Sequence, residues 1–158
     1  MKKRIKALAA LVNDSKIIAD IGCDHAYLII ELFNKNKIEF AYAIDNKDGP
    51  IRNATNNLIN AGYINKTKII KADGLSFDFK QNIDTIILAG IGGINIVNIL
   101  KKGQEKLKNI KYIIIDAHRH EDDVIAYLKE HNFNIKNDDY IIDNKKQYHL
   151  ICFHNDEL

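Results

Sequence analysis

The stretch Ala19-Asp20-Ile21-Gly22-Cys23-Asp24-His25-Ala26-Tyr27-Leu28 decides the fold. Residues 16–21 form an apolar run punctuated by Asp20, and its length and β-branched content fit a buried parallel strand better than a helix. Gly22 follows where the chain turns sharply, with no side chain to hold a bound group away from the backbone. Residues 26–33 contain no breaker and read as the next helix, whose first N–H groups face the crevice beyond the strand. A strand, a glycine turn and a helix in that order open an α/β sheet of the nucleotide-binding kind.

Outward from this unit, strand and helix signals alternate. An amphipathic helix over 3–12 places Ile5, Leu8, Ala9 and Val12 on one face. The second strand is 40–45. Asp48-Gly49-Pro50 opens the next helix, with Asp48 as N-cap and Pro50 in the first turn, and Gly62 ends it. Strands follow over 68–71 and 83–89, a helix over 94–102, a strand over 112–116 and a helix over 121–131. Residues 134–143 and 148–154 flank the polar turn Asn144-Lys145-Lys146 and read as an antiparallel hairpin. Five βα units and a hairpin predict a doubly wound, mostly parallel seven-stranded α/β sheet ending in an antiparallel hairpin, as a single domain over 1–158.

Composition narrows the class. A chain of 158 residues, 46% hydrophobic and 8% aromatic, is sufficient for one core. The formal charge of +2 makes no overall electrostatic case for nucleic acid, although Lys2, Lys3, Arg4 and Lys6 gather near the amino terminus. No segment has the ~18 apolar residues of a membrane span, and no apolar signal segment opens the chain. Cys23 and Cys152 lie far apart and are expected to be reduced thiols of a cytoplasmic protein.

Acids and glycines recur at the ends of successive strands. Asp45, with Asn46 beside it, closes the second strand where a carboxylate accepts ribose hydroxyls. Asp73 in Ala72-Asp73-Gly74-Leu75 follows the third strand, placed to accept from an adenine amino group. Ala89-Gly90-Ile91-Gly92-Gly93 ends the fourth strand and leaves room for the rest of a cofactor and for a substrate. Taken singly, Asp45 and Asp73 are equally helix caps and the glycines equally tight turns; their joint order is what favours a binding crevice. A dinucleotide site asks for Gly-x-Gly-x-x-Gly, but Asp24 stands in the second glycine position and Tyr27 in the third. A pyrophosphate there would be crowded and repelled, whereas S-adenosyl-L-methionine (SAM) carries no phosphate and has an amino group that an acid binds.

With these motifs the chain resembles the bacterial tRNA (adenine(22)-N1)-methyltransferases, a family of class I SAM-dependent methyltransferases with a Rossmann-like fold. The likeness lies in Asp24-His25-Ala26-Tyr27-Leu28, Asp48-Gly49-Pro50, Asp73-Gly74-Leu75 and Ala89-Gly90-Ile91-Gly92-Gly93, and Arg4 matches an arginine of the family's opening helix. The resemblance implies methyl transfer from SAM to the N1 of an adenine in tRNA, with S-adenosyl-L-homocysteine as product. It implies Asp20, Gly22, Asp45, Asn46, Asp73, Gly74, Ala89 and Gly90 as cofactor-binding residues. Asp24 and His25 are the catalytic candidates, and Arg4, Tyr27, Gly92, Gly93 and His118 the substrate-binding ones. A monomer acting on tRNA, with no membrane association and no metal, is expected. Two departures stand out: Asp116-Ala117-His118 replaces the family's usual Gln-Pro-Asn, and a helical C-terminal extension found in the family does not follow Leu158.

Two other readings stay open at this point. His118-Arg119-His120-Glu121-Asp122-Asp123 has ligand types suited to zinc or iron in a hydrolase, and is equally an acid-rich helix start. A catalytically silent SAM-binding or RNA-binding module would carry the same crevice with the altered motif after the fifth strand.

Overall fold

Parallel strands need crossover connections, and this chain supplies most of them as helices. The computed structural model describes residues 2–80 and 82–158. Its elements are α1 (Lys2–Leu11), β1 (Ile17–Ile21), α2 (Tyr27–Asn34), β2 (Phe40–Asp45), α3 (Asp48–Ala61), β3 (Thr67–Lys71), β4 (Thr85–Ile91), α4 (Gly93–Lys102), β5 (Tyr112–Ala117), α5 (Glu121–Glu130), β6 (Phe133–Asp143) and β7 (Lys146–Asn155). They form one seven-stranded sheet in the order β3-β2-β1-β4-β5-β7-β6. The five strands β1 to β5 are mutually parallel, and β7 inserts antiparallel between β5 and β6. The expected Rossmann-like sheet with a terminal hairpin is therefore the observed one.

Both faces of the sheet are covered, which is why the central strands are near-continuously apolar. On one face Leu8, Ile29, Leu32, Ala54 and Leu58 from α1, α2 and α3 pack on Ile18, Ala41, Ile87 and Ile114. On the other, Ile96, Leu100, Val124 and Leu128 from α4 and α5 cover Ala19, Ile21, Ile86, Leu88, Ile113 and Ile115.

Four details differ from the sequence expectation. Lys47, not Asp48, is the cap of α3; Asp48 is its first helical residue, and its carboxylate lies 3.0 Å from Lys71 Nζ on the neighbouring strand. An acid in a first turn still suits the helix dipole, so the local signal was sound but displaced by one residue. Strand β4 begins two residues later than 83 and runs on through Gly90 to Ile91, with a bulge between Ala89 and Ile91 that the positive φ of Gly90 (73°) accommodates. The link from β3 to β4 carries no helix among the described residues, so four of the five parallel strands, not all five, are followed by one. Leu75, Phe77 and Ile83 fill its place against Tyr42, and Lys106 Nζ donates to the Leu75 and Phe77 carbonyls at 2.6 Å.

The fourth difference concerns Gly93, expected with Gly92 to bind substrate; a Cβ on Gly92 would meet nothing within 4 Å. Gly92 caps α4 and Gly93 is its first, buried residue. The Gly93 N–H donates to the Arg119 carbonyl at 2.8 Å. A Cβ on Gly93 would lie 2.3 Å from the Arg119 carbonyl oxygen and 2.4 Å from that of His120. This glycine lets α4 start hard against the loop after β5, which is a packing role.

The register also shapes the hairpin. Pairing of β5 with β7 ends at Ile115 and Ile151, while β6 and β7 stay paired out to Asp143 and Lys146. The outer half of the hairpin thus stands beyond the paired part of β5, at the carboxyl end of the sheet.

Because backbone, not a flexible side chain, opposes a methyl at position 93, Gly93→Ala is expected to destabilise the protein by about 1–3 kcal/mol in a urea melt. An unchanged melt would show that the 119–120 loop yields freely.

Candidate functional site

Parallel register brings the carboxyl ends of β1, β2, β3 and β4 to one edge, with Ile21 opposite Ile44 and Leu88, and Asp45 opposite Lys71. Two cavities open there. The larger, about 530 Å³, is lined by Gly22, Asp45, Asn46, Lys47, Asp73, Gly74, Ile91, Asn95, Asn98 and Lys102 among others. The smaller, about 250 Å³, is lined by Arg4, Asp20, Gly22, Cys23, Asp24, His25, Tyr27, Ala89, Gly90 and Ile91 with neighbouring apolar side chains. Gly22 and Ile91 belong to both. The volumes are those of a cofactor-sized cleft and an adjoining antechamber.

The turn after β1 is tied to β2. Gly22 and Cys23 N–H both donate to the Ile44 carbonyl, at 2.8 and 2.9 Å. Asp45 at the end of β2 accepts from the Asp24 N–H and the Lys47 N–H, each at 3.3 Å, one on each carboxylate oxygen. Those long bonds leave lone pairs on both oxygens for a ligand.

Asp20 is buried beneath the turn at 5% exposure. Burial raises its carboxyl to about 7; the Arg4 guanidinium opposes that shift, and the charges of Asp45 and Asp24 add to it. Cys23 is buried beside it, and burial, then the charges of Asp20 and Asp45, push its thiol up, which disfavours the thiolate.

One wall of the smaller cavity is an ion pair. Arg4 Nε and Nη2 both reach Asp116 Oδ2 at 2.7 Å, with Asp116 almost fully buried. The guanidinium carbon sits 5.2 Å from the centre of the Tyr148 ring. A Cβ on Gly90 would come 3.1 Å from Arg4 Nη2 and 3.5 Å from His118 Nε2, so the residue lacking a side chain is the one these two groups overhang. Opposite, His25 stacks on Tyr27 with ring centres 5.1 Å apart, and His25 Nε2 lies 3.8 Å from Asp24 Oδ1. The His25 carbonyl accepts from Asn57 Nδ2 at 2.9 Å, which steadies that turn.

Most sequence candidates therefore converge on this edge. Asp20, Gly22, Asp45, Asn46, Asp73, Gly74, Ala89 and Gly90 line one or other cavity, as do Arg4, Asp24, His25 and Tyr27. His118 reaches the rim at Gly90, and Gly92 and Gly93 do not line either cavity. Sequence reading missed Asn95, Asn98 and Lys102, although a polar i, i+3, i+7 face on a helix following a glycine motif was a usable signal. It also missed Asp116 as the partner of Arg4, for which no local signal existed. In the histidine-rich run, His118 faces Gly90 while His120 Nδ1 pairs with Asp123 at 3.7 Å in the first turn of α5. Among the described residues no three His, Cys, Asp or Glu side chains form a metal-binding group.

The chain is similar to known proteins along most of its length. A methyltransferase domain family model matches residues 1–151. The tRNA (adenine(22)-N(1))-methyltransferase of Bacillus subtilis is 27% identical over 151 residues, covering 96% of this chain and 63% of that protein. The chain thus spans less than two thirds of that relative's length. Among solved structures, M. capricolum TrmK in complex with S-adenosyl-homocysteine has a TM-score of 0.88 and 33% identity, covering 96% of this chain and 67% of that one. Sp1610 of Streptococcus pneumoniae has a TM-score of 0.92 and 32% identity, covering 98% and 70%.

The raised carboxyl of Asp20 has a measurable sign. Its folded value of about 7 exceeds the ordinary 3.8, so the folded state holds this proton more tightly and stability falls as pH rises between those values. Asp20→Asn is expected to remove that fall, gaining up to about 4 kcal/mol over the wild type at pH 8 relative to pH 4 in paired urea melts. Parallel profiles for the two proteins would show that Asp20 ionises normally.

Proposed function

The chain belongs to the methyltransferase domain family, and within it to the tRNA (adenine(22)-N1)-methyltransferases; from that premise we propose that it methylates N1 of adenine 22 in tRNA, using SAM. The observation that carries the reading is the pair of cavities meeting at Gly22 and Ile91, one rimmed by Asp45 and Asp73, the other by Asp24, His25, Tyr27 and Arg4.

The residues suit the cofactor. Asp45 and Asn46 accept from and donate to ribose hydroxyls, and Asp73 accepts from the adenine amino group. Asp20, buried under the junction, is a counter-charge for an ammonium group. The absence of a phosphate fits a turn that carries Asp24 where a dinucleotide site has glycine. When bound, SAM supplies an electrophilic methyl on a sulfonium, which leaves as a neutral thioether once the methyl is transferred.

The remaining work falls to the smaller cavity. Neutral adenine already has a lone pair at N1, so alignment dominates the attack and no base is needed to start it. As the ring gains positive charge, the Asp24 carboxylate offsets it, and His25 beside it is placed to take the proton that the amino group later releases. Tyr27, 45% exposed and stacked on His25, offers a face for a base that has left its helix. In this reading residues 1–158 form one domain and the enzyme is monomeric and cytoplasmic; its two buried free cysteines suit a reducing compartment, and no described helix is long and apolar enough to cross a membrane.

Transfer of a labelled methyl from SAM to unmodified tRNA is expected, and is expected to vanish when adenine 22 is replaced by guanine; transfer unaffected by that change would refute the target. S-adenosylhomocysteine is expected to raise the melting temperature and zinc is not. A rise with homocysteine compound but no transfer would favour the silent binding module instead. Asp45→Ala is expected to weaken SAM binding by about 1.5–3 kcal/mol in calorimetry. Unchanged affinity would reduce Asp45 to a loop anchor.

A further inference from the structure

The hairpin turn and the start of α1 are distant in sequence and joined in space. The Arg4 backbone N–H donates to Asp143 Oδ2 at 2.9 Å, and the side chain of Arg4 lies over Tyr148 on the facing strand. Lys146 Nζ sits 5.5 Å from the centre of that same ring. On the other face of the hairpin, His149 Nε2 is 2.7 Å from Asp138 Oδ2 and Nδ1 is 2.6 Å from Glu121 Oε1, while Tyr140 stacks flat on the imidazole at 4.0 Å. These contacts hold the overhanging end of the hairpin against α1 on one side; on the other, His149 meets Glu121 at the start of α5 in a close contact that lacks hydrogen-bond geometry.

The charge at this junction is one-sided. Helix α1 contains Lys2, Lys3, Arg4 and Lys6 and no acid. Lys2 and Lys6 line a hollow of about 300 Å³ with Ile5, Tyr27 and Glu31, and this hollow shares Ile5 and Tyr27 with the smaller cavity of the site. The hairpin turn adds Lys145 and Lys146, exposed like Lys2, Lys3 and Lys6. Of the acids beside them, Glu31 lies within the hollow, Asp143 is engaged by the Arg4 N–H and Asp116 is paired with the Arg4 side chain, so the excess of positive charge comes from the lysines.

We infer that α1 and the hairpin turn form one basic ridge that grips the phosphate backbone of the RNA flanking the target adenine. The inference rests on the tRNA-methylation reading and adds to it where the nucleic acid lies. A net charge of only +2 means that attraction comes from this local cluster, not from the molecule as a whole. Ammonium groups on long flexible stems suit phosphates, which position an RNA without reading its sequence. The exposed Tyr27 lies between the ridge and the smaller cavity, so a backbone held along the lysines presents its nearest base to the site.

The test uses Lys2→Glu/Lys6→Glu and Lys145→Glu/Lys146→Glu, each assayed for affinity to unmodified tRNA across a salt series, for methylation, and for S-adenosylhomocysteine binding. Each pair is expected to lower the salt slope by about 1–2 and to raise Kd and KM for tRNA about tenfold, with homocysteine-compound affinity unchanged. Lys108→Glu, at the amino end of the sheet, is expected to leave the slope as in the wild type. The neutral Lys→Gln pairs carry the same expectation at smaller amplitude and decide the matter if a reversal prevents folding. Wild-type slopes in both pairs, or an equal loss in Lys108→Glu, would overturn the ridge while wild-type methylation upholds the function. A wild type that binds the homocysteine compound but neither binds nor methylates tRNA would overturn the function reading and the ridge together.

Discussion

Arg4 and Asp116 meet at the carboxyl end of the sheet, and much else is arranged around that contact. The carboxylate comes from β5 and is almost fully buried; the guanidinium comes from α1 and reaches it through two nitrogens at 2.7 Å. Neither charge would be tolerated there alone, since an unpaired buried ion costs several kcal/mol. The pair fixes α1 over the strand ends, so that a helix at the start of the chain becomes a wall of the smaller cavity. It also crowds its neighbours: a Cβ on Gly90 would come 3.1 Å from Arg4 Nη2, and the Arg4 guanidinium lies over the Tyr148 ring of β7.

The crevice beside this pair is rich in carboxylates that do different work. Asp45 is held by backbone N–H groups and keeps acceptor capacity toward the larger cavity. Asp20, buried and near both Asp24 and Asp45, carries a carboxyl raised to about 7 because burial disfavours its charge and its neighbours repel it. A cationic ligand relieves that repulsion, and an anionic one would aggravate it. The electrostatics of the site thus lean toward a positively charged cofactor and, in the proposed reaction, toward a product ring that gains positive charge.

The strand-glycine-helix unit at 16–33, the acid closing β2 and the glycine ending α3 were all readable because each depends on local causes: β-branched runs, a turn without a side chain, a left-handed cap at Gly62. Boundaries slipped where a neighbour intervened. Asp48 lies one residue inside its helix with Lys71 beside it, and β4 continues through Gly90 because β5 offers pairing as far as Ala117. Gly93 looked like space for a substrate and is instead space for the backbone of residues 119 and 120. A glycine in a sequence says that room is needed, and only the fold says by what.

The order of strands and helices, the chemical types at the strand ends and the absence of a dinucleotide turn were determined by the sequence itself, since each follows from residues within a few positions of one another. Which of those residues meet was decided by tertiary structure. The sheet order β3-β2-β1-β4-β5-β7-β6 aligns the carboxyl ends of strands scattered along the chain, and it carries Arg4 to Asp116 and Asp143, partners 112 and 139 residues away. No periodicity encodes such pairings. They arise because a parallel sheet brings its carboxyl ends to one edge, and because buried charges there must find an opposite charge wherever in the chain it lies.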